Sequence, residues 1–548
     1  MTTTQNVRRA VLSLLSLSFL AAGFTLSPRA FQTVRHLAIQ HNGRIKPLDT
    51  FARETLRFIT GSARLGSENP VQTVLSIVAE PDRWQDRPLI AVPFVPLREK
   101  LGLSRTTQQV SYNQLVETRK LMRMLPAIVE KQGREEKLSM LEQETMDAYE
   151  RFVALSGLFT QKLHLVPPPP SETSMGGMVW LPVLEATGYP QGQRQAIQTG
   201  WSAFLDSLRA GRAEEIEKSA QALVGILRSA NPSAVPAPWR LDLELFYNDF
   251  SPFRVAQFFY LLAAAGLLFN AVSKGKRPRA GMIALLAGFL MHGAGIAMRV
   301  VLGGRPPVSN FYETMLWLPF VAVAISLVFE RIYRVGYFGL ASAILAVIVL
   351  VLSDYVPLEP YLSPVVAVLR SNLWLTIHVL TVVASYGALS LAVGLAHIYG
   401  WLYLVRGRRH PALRSLDLYL YRGLQVGVVL LAAGIMLGAV WANASWGRYW
   451  GWDPKETWAL ITLLWFLAVL HGRFAGWMKG VTVALATIAG FFLLLMTYYG
   501  VSFYLVGLHS YAGGHAKPIP PLLIAYLVAE VIFISLIGFD ILRKRSFP

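Results

Sequence analysis

Nine apolar stretches fill the second half of this 548-residue chain, and several of them reach the length that carries a helix across a hydrocarbon core, about 20 residues. They run approximately over Val255–Ser273, Gly281–Leu302, Met315–Glu330, Gly336–Leu352, Trp374–Val405, Gly423–Trp441, Thr457–His471, Val481–Gly500 and Leu522–Leu542. A backbone inside lipid must satisfy its own polar groups, and continuous runs of this kind do so as helices. The predicted fold is therefore an all-α polytopic membrane protein, with about nine transmembrane helices and a possible N-terminal anchor. A composition that is 53% hydrophobic, with a mean hydropathy of +0.42, agrees with it.

Basic clusters give each span a direction. Lys274 to Arg279, Arg331 with Arg334, Arg406 to Arg414, Arg473 with Lys479, and Arg543 to Arg545 fall at every second junction, which marks those junctions as cytoplasmic. The junctions 303–314, 353–372, 442–456 and 501–520 are then external. The net charge of +18 is spent in these dispersed clusters, so nucleic acid is not an expected partner. With no cysteine in the chain, disulfides, thiolate metal sites and thiol redox steps are excluded for the protein itself, and any thiol chemistry belongs to a partner.

Ahead of the spans, Arg8 and Arg9 precede an apolar run from Ala10 to about Leu26, so residues 1–26 read as a signal anchor or a cleaved signal peptide. No clear small-x-small site closes that run, which favours the anchor. Residues 27–250 change character: scattered charges, the Pro167–Pro170 run and helix-like stretches over Ser111–Phe159 and Trp201–Ala230 describe a mostly helical extracytoplasmic domain. Its segment Gln40–Thr50 mixes turn residues with charge and points to no particular chemistry. His36 and His41 read as solvated or packing histidines.

The third external junction is where chemistry concentrates. Four of the 14 tryptophans, Trp446, Trp450, Trp452 and Trp458, fall within one short segment, with Asp453 among them. An interfacial aromatic belt would spread such rings over many helix ends. Their concentration instead favours a platform for something flat and apolar. Topology brings His509 and His515 of the fourth external junction to the same membrane face, together with His378, about one turn inside the span that follows the second junction. A porphyrin gripped by indole rings, with its iron held between two imidazoles, fits that convergence. Asp453, followed by Pro454, also reads as the N-cap of the next span, with Glu456 favourable at its positive end. Asn310, Tyr312, Glu313 and Arg305 form a polar loop suited to haem propionates or to a protein substrate, and equally to the bilayer surface. His515 and His410 read as solvated.

The segment Trp446-Gly-Arg-Tyr-Trp450-Gly-Trp452-Asp453-Pro-Lys-Glu-Thr-Trp458, continuing to His471-Gly-Arg473, resembles the tryptophan-rich WWD signature of the CcsA/ResC family of System II cytochrome c biogenesis. Pro306-Pro-Val-Ser-Asn-Phe-Tyr-Glu313 before it and Gly507-Leu-His-Ser-Tyr511 after it resemble the same family in the same order. The resemblance covers roughly residue 253 to the C-terminus, so 251–548 is expected to be the haem-handling domain, with its WWD loop at 442–458. It implies a multi-pass protein of the bacterial inner membrane, with N-terminal domain and haem site on the periplasmic side, that takes haem b to the outer face. There it acts as a component of a cytochrome c haem lyase, joining haem vinyls to the CxxCH thiols of apocytochrome c. The implied partners are a ResB/CcsB-like subunit, the apocytochrome, a thioredoxin-like reductant of its thiols, and membrane lipid.

Residue by residue, His378 and His509 match the external axial ligands, and His471 matches the family's histidine within a transmembrane helix. That last residue lies about 20 Å of helix from the outer end of its span, where it would serve an inner haem site. The family draws the second inner ligand from the ResB component, and no complete ResB-like set of helices precedes Val255. His292 and His397 are internal substitutes, His292 the preferred one, although hydrogen-bonded helix-packing histidines suit both positions better. Two other readings stay open: a haem exporter or chaperone without ligation activity, as in the related CcmC and CcmF proteins, and a non-haem transporter or scaffold whose aromatics bind lipid.

Overall fold

The computed structural model describes residues 24–170, 179–273, 279–355, 361–362, 373–508 and 519–546. Most of the expected anchor or signal segment, the basic residues 274–278, most of the second external junction, and His509 and His515 lie outside the described residues. The chain divides into two compact units, Met1–Asp249 and Phe250–Pro548.

The first unit is mostly helical, with two small antiparallel sheets: Ala38–His41 with Arg44–Pro47, and Pro88–Ala91 with Gln109–Ser111. Its core gathers around the fully buried Trp84, Trp201 and Phe204. The segment Gln40–Thr50, silent as sequence, turns out to be a hairpin. Asn42 and Gly43 both take positive φ (50° and 70°), the two-residue turn that Asn-Gly favours because it matches strand twist. The charges of this hairpin face inward. Arg44 makes a two-pronged ion pair with buried Glu244 (2.6 and 2.8 Å), Lys46 pairs with Glu54, and His41 sets its ring edge-on against Phe51 at 5.0 Å. Burial pushes the His41 imidazole down to about 4, and the Lys46 ammonium and His164 add to the shift. His36 bonds Gln32 O and Asp242, so both histidines are packing groups.

In the second unit the described residues contain nine helices long and apolar enough to cross a membrane. We label them α1 (Pro252–Val272), α2 (Arg279–Gly303), α3 (Phe311–Tyr333), α4 (Tyr337–Tyr355), α5 (Leu373–Arg406), α6 (Ala412–Trp446), α7 (Pro454–Phe474), α8 (Val481–Tyr504) and α9 (Pro521–Ser546). The protein is an all-α polytopic membrane protein. Helix α5 is central, with 72% of its apolar window buried, whereas only 11% of that of α9 is covered. Helices α5 and α6 pack along much of their length, and small residues allow the approach. A Cβ at Gly434 would lie 3.0 Å from Val382 Cα, and one at Gly423 would lie 3.2 Å from Ala392 Cβ.

Helix α6 departs from expectation at both ends. It starts at Ala412, not near Gly423, because Leu413, Leu416, Tyr419 and Leu420 are buried on one side while Arg414, Asp417 and Arg422 lie between them. Asp417 is fixed there by Arg473 of α7 at 2.5 Å. At the other end α6 continues through Trp446, where Gly447 (φ 70°) closes it with its N–H on Asn443 O. The expected loop 442–458 is thus mostly helical, and the true connector is Gly447–Asp453.

Candidate functional site

Local sequence rules build the tryptophan connector. Asp453 is the N-cap of α7: its Oδ1 accepts the Lys455 N–H (2.9 Å), while Glu456 Oε2 accepts the N–H groups of Asp453 (3.2 Å) and Gly451 (2.8 Å). With Pro454 in the first turn, this is a reciprocal capping box that fixes where the helix begins. Trp452 pays for the turn in backbone strain. It adopts φ 57°, a region that non-glycine residues enter rarely, and stands 71% exposed with its ring perpendicular to Trp450 at 5.8 Å. The second Asp453 oxygen, Oδ2, accepts the N–H of Leu508 at 2.6 Å, tying the connector to the segment that leaves α8. A side chain at Gly507 would run into that same carboxylate and into Pro454.

His378 is placed by the α5–α6 packing. Its Nδ1 lies 2.8 Å from Gly434 O; a carbonyl only accepts, so Nδ1 carries the proton and the basic lone pair of the neutral ring is at Nε2. Gly438, one turn beyond Gly434 on α6, leaves room for this ring: a Cβ there would stand 2.6 Å from His378 Cε1 and 2.9 Å from Nδ1. Trp441 lies parallel to the imidazole (6.3 Å, 12°) and meets Trp446 edge-on at 4.6 Å.

These groups open onto one cavity of about 640 Å³, within the range of roughly 300–1,000 Å³ usual for small-molecule and cofactor sites. Its wall includes His378, Trp441, Trp446, Tyr449 and Trp450, with Tyr386 of α5, Tyr498 of α8, Arg305, Lys455 and Leu508. An imidazole with a defined basic nitrogen, flanked by indole surfaces, fits a metalloporphyrin.

Of the residues singled out in the sequence, His378, Trp446 and Trp450 come together here, and Asp453 braces them from behind. Trp452 and half-buried Trp458 do not line the cavity. His471 is exposed near the opposite end of α7, with Nδ1 on Leu467 O. His292 is fully buried on α2, bonded to the Tyr260 hydroxyl (3.2 Å) and ringed by Phe253, Tyr260 and Phe320, which is the setting of a packing histidine. His397 gives Nε2 to Glu530 of α9 at 3.0 Å. His509 lies outside the described residues, but its neighbour Leu508 lines the cavity. Within the polar loop, Glu313 gathers Arg299 (2.9 Å), Arg305 (2.7 Å) and the Ser309 N–H (2.9 Å), and Asn310 caps α3.

Sequence reasoning missed Trp441, Tyr386, Tyr498 and Lys455. Trp441 read only as a span end. Lys455 stood in plain view within the tryptophan motif, where a cation next to an N-cap, at the end of a helix that favours anions, was a signal that went unused.

Comparison with known proteins specifies which kind of membrane protein carries this cavity. The family model described as "Cytochrome C assembly protein" matches residues 308–509, from the loop before α3 past the end of α8. Protein NrfI of Wolinella succinogenes is 30% identical over 499 residues, covering 87% of this chain and 54% of NrfI. The chain therefore spans about half the length of that relative, and the match takes in much of the first unit as well as the membrane helices. The cytochrome c biogenesis protein CcsA of Prochlorococcus marinus (strain NATL1A) is 31% identical over 312 residues, 50% of this chain and 98% of that protein. CcsA of Synechococcus sp. (strain CC9605) is 35% identical over 289 residues, 47% of this chain and 94% of that protein. The chain belongs to the CcsA/ResC family of cytochrome c biogenesis proteins.

Proposed function

We propose that this protein is the haem-handling component of a cytochrome c synthase. It binds haem b as a substrate, brings it to the outer face of a bacterial cytoplasmic membrane, and holds it where the thiols of a CxxCH apocytochrome reach its vinyl groups. The observation that carries this reading is the meeting, in one cavity, of His378 in the tautomer that ligates through Nε2 with the indoles of Trp441, Trp446 and Trp450. His509 follows Leu508 of the cavity wall and is the proposed second axial ligand. The outward orientation is supported by charge. Arg406, Arg414, Arg473 and Lys479 sit at or near the ends of α5 to α8 remote from the cavity, where the positive-inside rule assigns the cytoplasm.

Each thioether forms by addition of S–H across a vinyl C=C, sulfur to one carbon and hydrogen to the other, with no net oxidation. The protein contributes position: axial ligation and ring walls hold the vinyl carbons while the thiol approaches, and such preorganisation lowers a barrier substantially. A thioredoxin-like reductant keeps the apocytochrome cysteines as thiols. A ResB/CcsB-like subunit completes the synthase and supplies the partner of His471 at an inner haem site.

The test is purification with the ResB-like partner from haem-replete cells, followed by the visible spectrum and by incubation with a CxxCH apocytochrome. A bis-imidazole spectrum and covalent haem on the apocytochrome are expected. His378→Ala and His509→Ala abolish maturation, and added imidazole restores part of it by filling the vacated axial position. Normal maturation by both variants refutes the ligand assignment, and bound haem without ligation leaves the exporter reading.

A further inference from the structure

Two cations line the cavity, and neither is accounted for by ligating iron or stacking on a ring. Lys455 lies in the first turn of α7, at the positive end of the helix dipole, where a cation is unfavourable on its own. Its Nζ donates to Ser502 Oγ (2.8 Å) and to Tyr498 O (3.2 Å), both neutral acceptors. The carbonyl belongs to the π turn Met496–Gly500 of α8, a local break in the helical ladder of a kind that recurs at functional sites. The nearest acids in sequence are committed elsewhere. Both oxygens of Asp453 receive backbone N–H groups, and Glu456, which also lines the cavity, has its Oε2 taken up by the capping box. Among the described residues no carboxylate pairs with Lys455.

Arg305 is the second cation. Its side chain is only 9% exposed, and one guanidinium nitrogen holds Glu313, which also serves Arg299, so a single carboxylate faces two guanidinium groups. The remaining buried Nε of Arg305 has no hydrogen-bond partner among the described residues. Arg305 and Lys455 are joined through one wall. Helix α3, which begins just after Arg305, stacks Phe311 on the Tyr498 ring (4.8 Å) and bonds Thr314 to the Tyr498 hydroxyl (2.9 Å), while the Tyr498 carbonyl holds Lys455. A buried donor without an acceptor and an ammonium whose hydrogen bonds reach only neutral oxygens both call for an anion from outside the chain.

We propose that Arg305 and Lys455 form the carboxylate receptor of this cavity. They take the propionate side chains of the tetrapyrrole, and so fix its rotation about the axis through His378. Axial ligation alone leaves the disc able to turn about the iron–nitrogen bond. On haem b the two propionates occupy neighbouring pyrroles and the vinyls the others, so anchoring the acidic edge decides where the vinyl edge faces the incoming thiols. This inference rests on the haem reading and adds to it the basis of orientation.

The test titrates the purified protein with haem b, with mesohaem, which keeps both carboxylates but lacks vinyls, and with haem b dimethyl ester, following the Soret band. Wild-type protein is expected to bind the two diacids alike and the diester at least about tenfold more weakly, as the loss of charge-assisted hydrogen bonds implies. Lys455→Met brings diacid and diester to within about twofold, chiefly by weakening the diacids, and Lys455→Arg keeps the preference. Arg305→Met acts in the same sense, and should it fail to fold through loss of its Glu313 contact, the Lys455 pair of variants decides. Equal binding of diacid and diester by wild type, or an equal loss of both in Lys455→Met, overturns the receptor while leaving haem binding intact. Absence of any imidazole-ligated spectrum with all three porphyrins removes the haem reading itself, and this proposal with it.

Discussion

Replacing Gly438 by alanine tests the placement of His378 without touching the histidine. The added Cβ would stand 2.6 Å from Cε1, 2.9 Å from Nδ1 and 3.1 Å from Nε2 of the imidazole, well inside contact distance for all three atoms. The ring has to move, and its hydrogen bond to Gly434 O opposes the movement. Overpacking of this kind costs about 1–3 kcal/mol, and a weakened hydrogen bond adds about 0.5–1.5 kcal/mol. If haem binding needs the imidazole where it now lies, a displacement of about 1–3 kcal/mol is subtracted from affinity, a loss of about 5- to 150-fold. The assay is a haem titration of the detergent-solubilised protein by Soret absorbance, with thermal unfolding run in parallel to register the cost to the fold. Gly438→Ala that unfolds earlier yet binds haem with unchanged affinity and axial spectrum refutes the argument, because the ring would then be displaced without consequence for the iron.

Two further outcomes follow from the geometry. Asp453→Ala removes the N-cap of α7, worth about 0.5–2 kcal/mol, and strands the Leu508 N–H; Asp453→Asn keeps the oxygen facing Lys455 N and recovers part of the loss, as thermal unfolding will read. In the first unit, His41 has its folded value near 4 against 6.5 when unfolded, so the unfolded chain binds the extra proton between those limits, and this group withdraws stability as pH falls from about 6.5 to about 4. Glu54, raised by burial beside Lys46, acts in the opposite sense, so the measurement is the difference in denaturation slope between wild type and His41→Asn: a flatter acid limb in the variant is expected, and identical slopes refute it.

What could be read from sequence followed the physics that acts locally. Length and hydropathy located the nine membrane-length helices of the described residues because lipid leaves a polar backbone little choice, and Asp453-Pro-Lys-Glu456 announced the start of α7 because capping is decided within one turn. The extension of α6 down to Ala412 escaped because Arg414, Asp417 and Arg422 break the hydropathy run, although their spacing leaves a continuous buried side. Site residues divided in the same way. Trp446 and Trp450 stood out by crowding, whereas Tyr386 and Tyr498 each sit inside an apolar run and reach the cavity only through packing between helices distant in sequence. Nothing local marks the pairing of His378 with Gly434 and Gly438, which depends on the register of α5 against α6.

The connector also explains why its residues come in the order they do. Trp450 must precede the turn to reach the cavity wall, and Trp452 must follow in the left-handed region to reverse the chain. Only then can Asp453 present one oxygen to α7 and the other to Leu508. The next two side chains are assigned by the same helix: Lys455 and Glu456 both line the cavity, and Glu456 also closes the cap through Oε2. Moving the aspartate by one position would break the capping box, release Leu508, and rotate Lys455 by about 100° around α7, away from Ser502 and Tyr498. The aromatic wall, the helix start and the segment leading to His509 are therefore held by one carboxylate. The capping function of Asp453 and the chemistry of the cavity are not alternatives, since the cap is what sets the cavity's geometry.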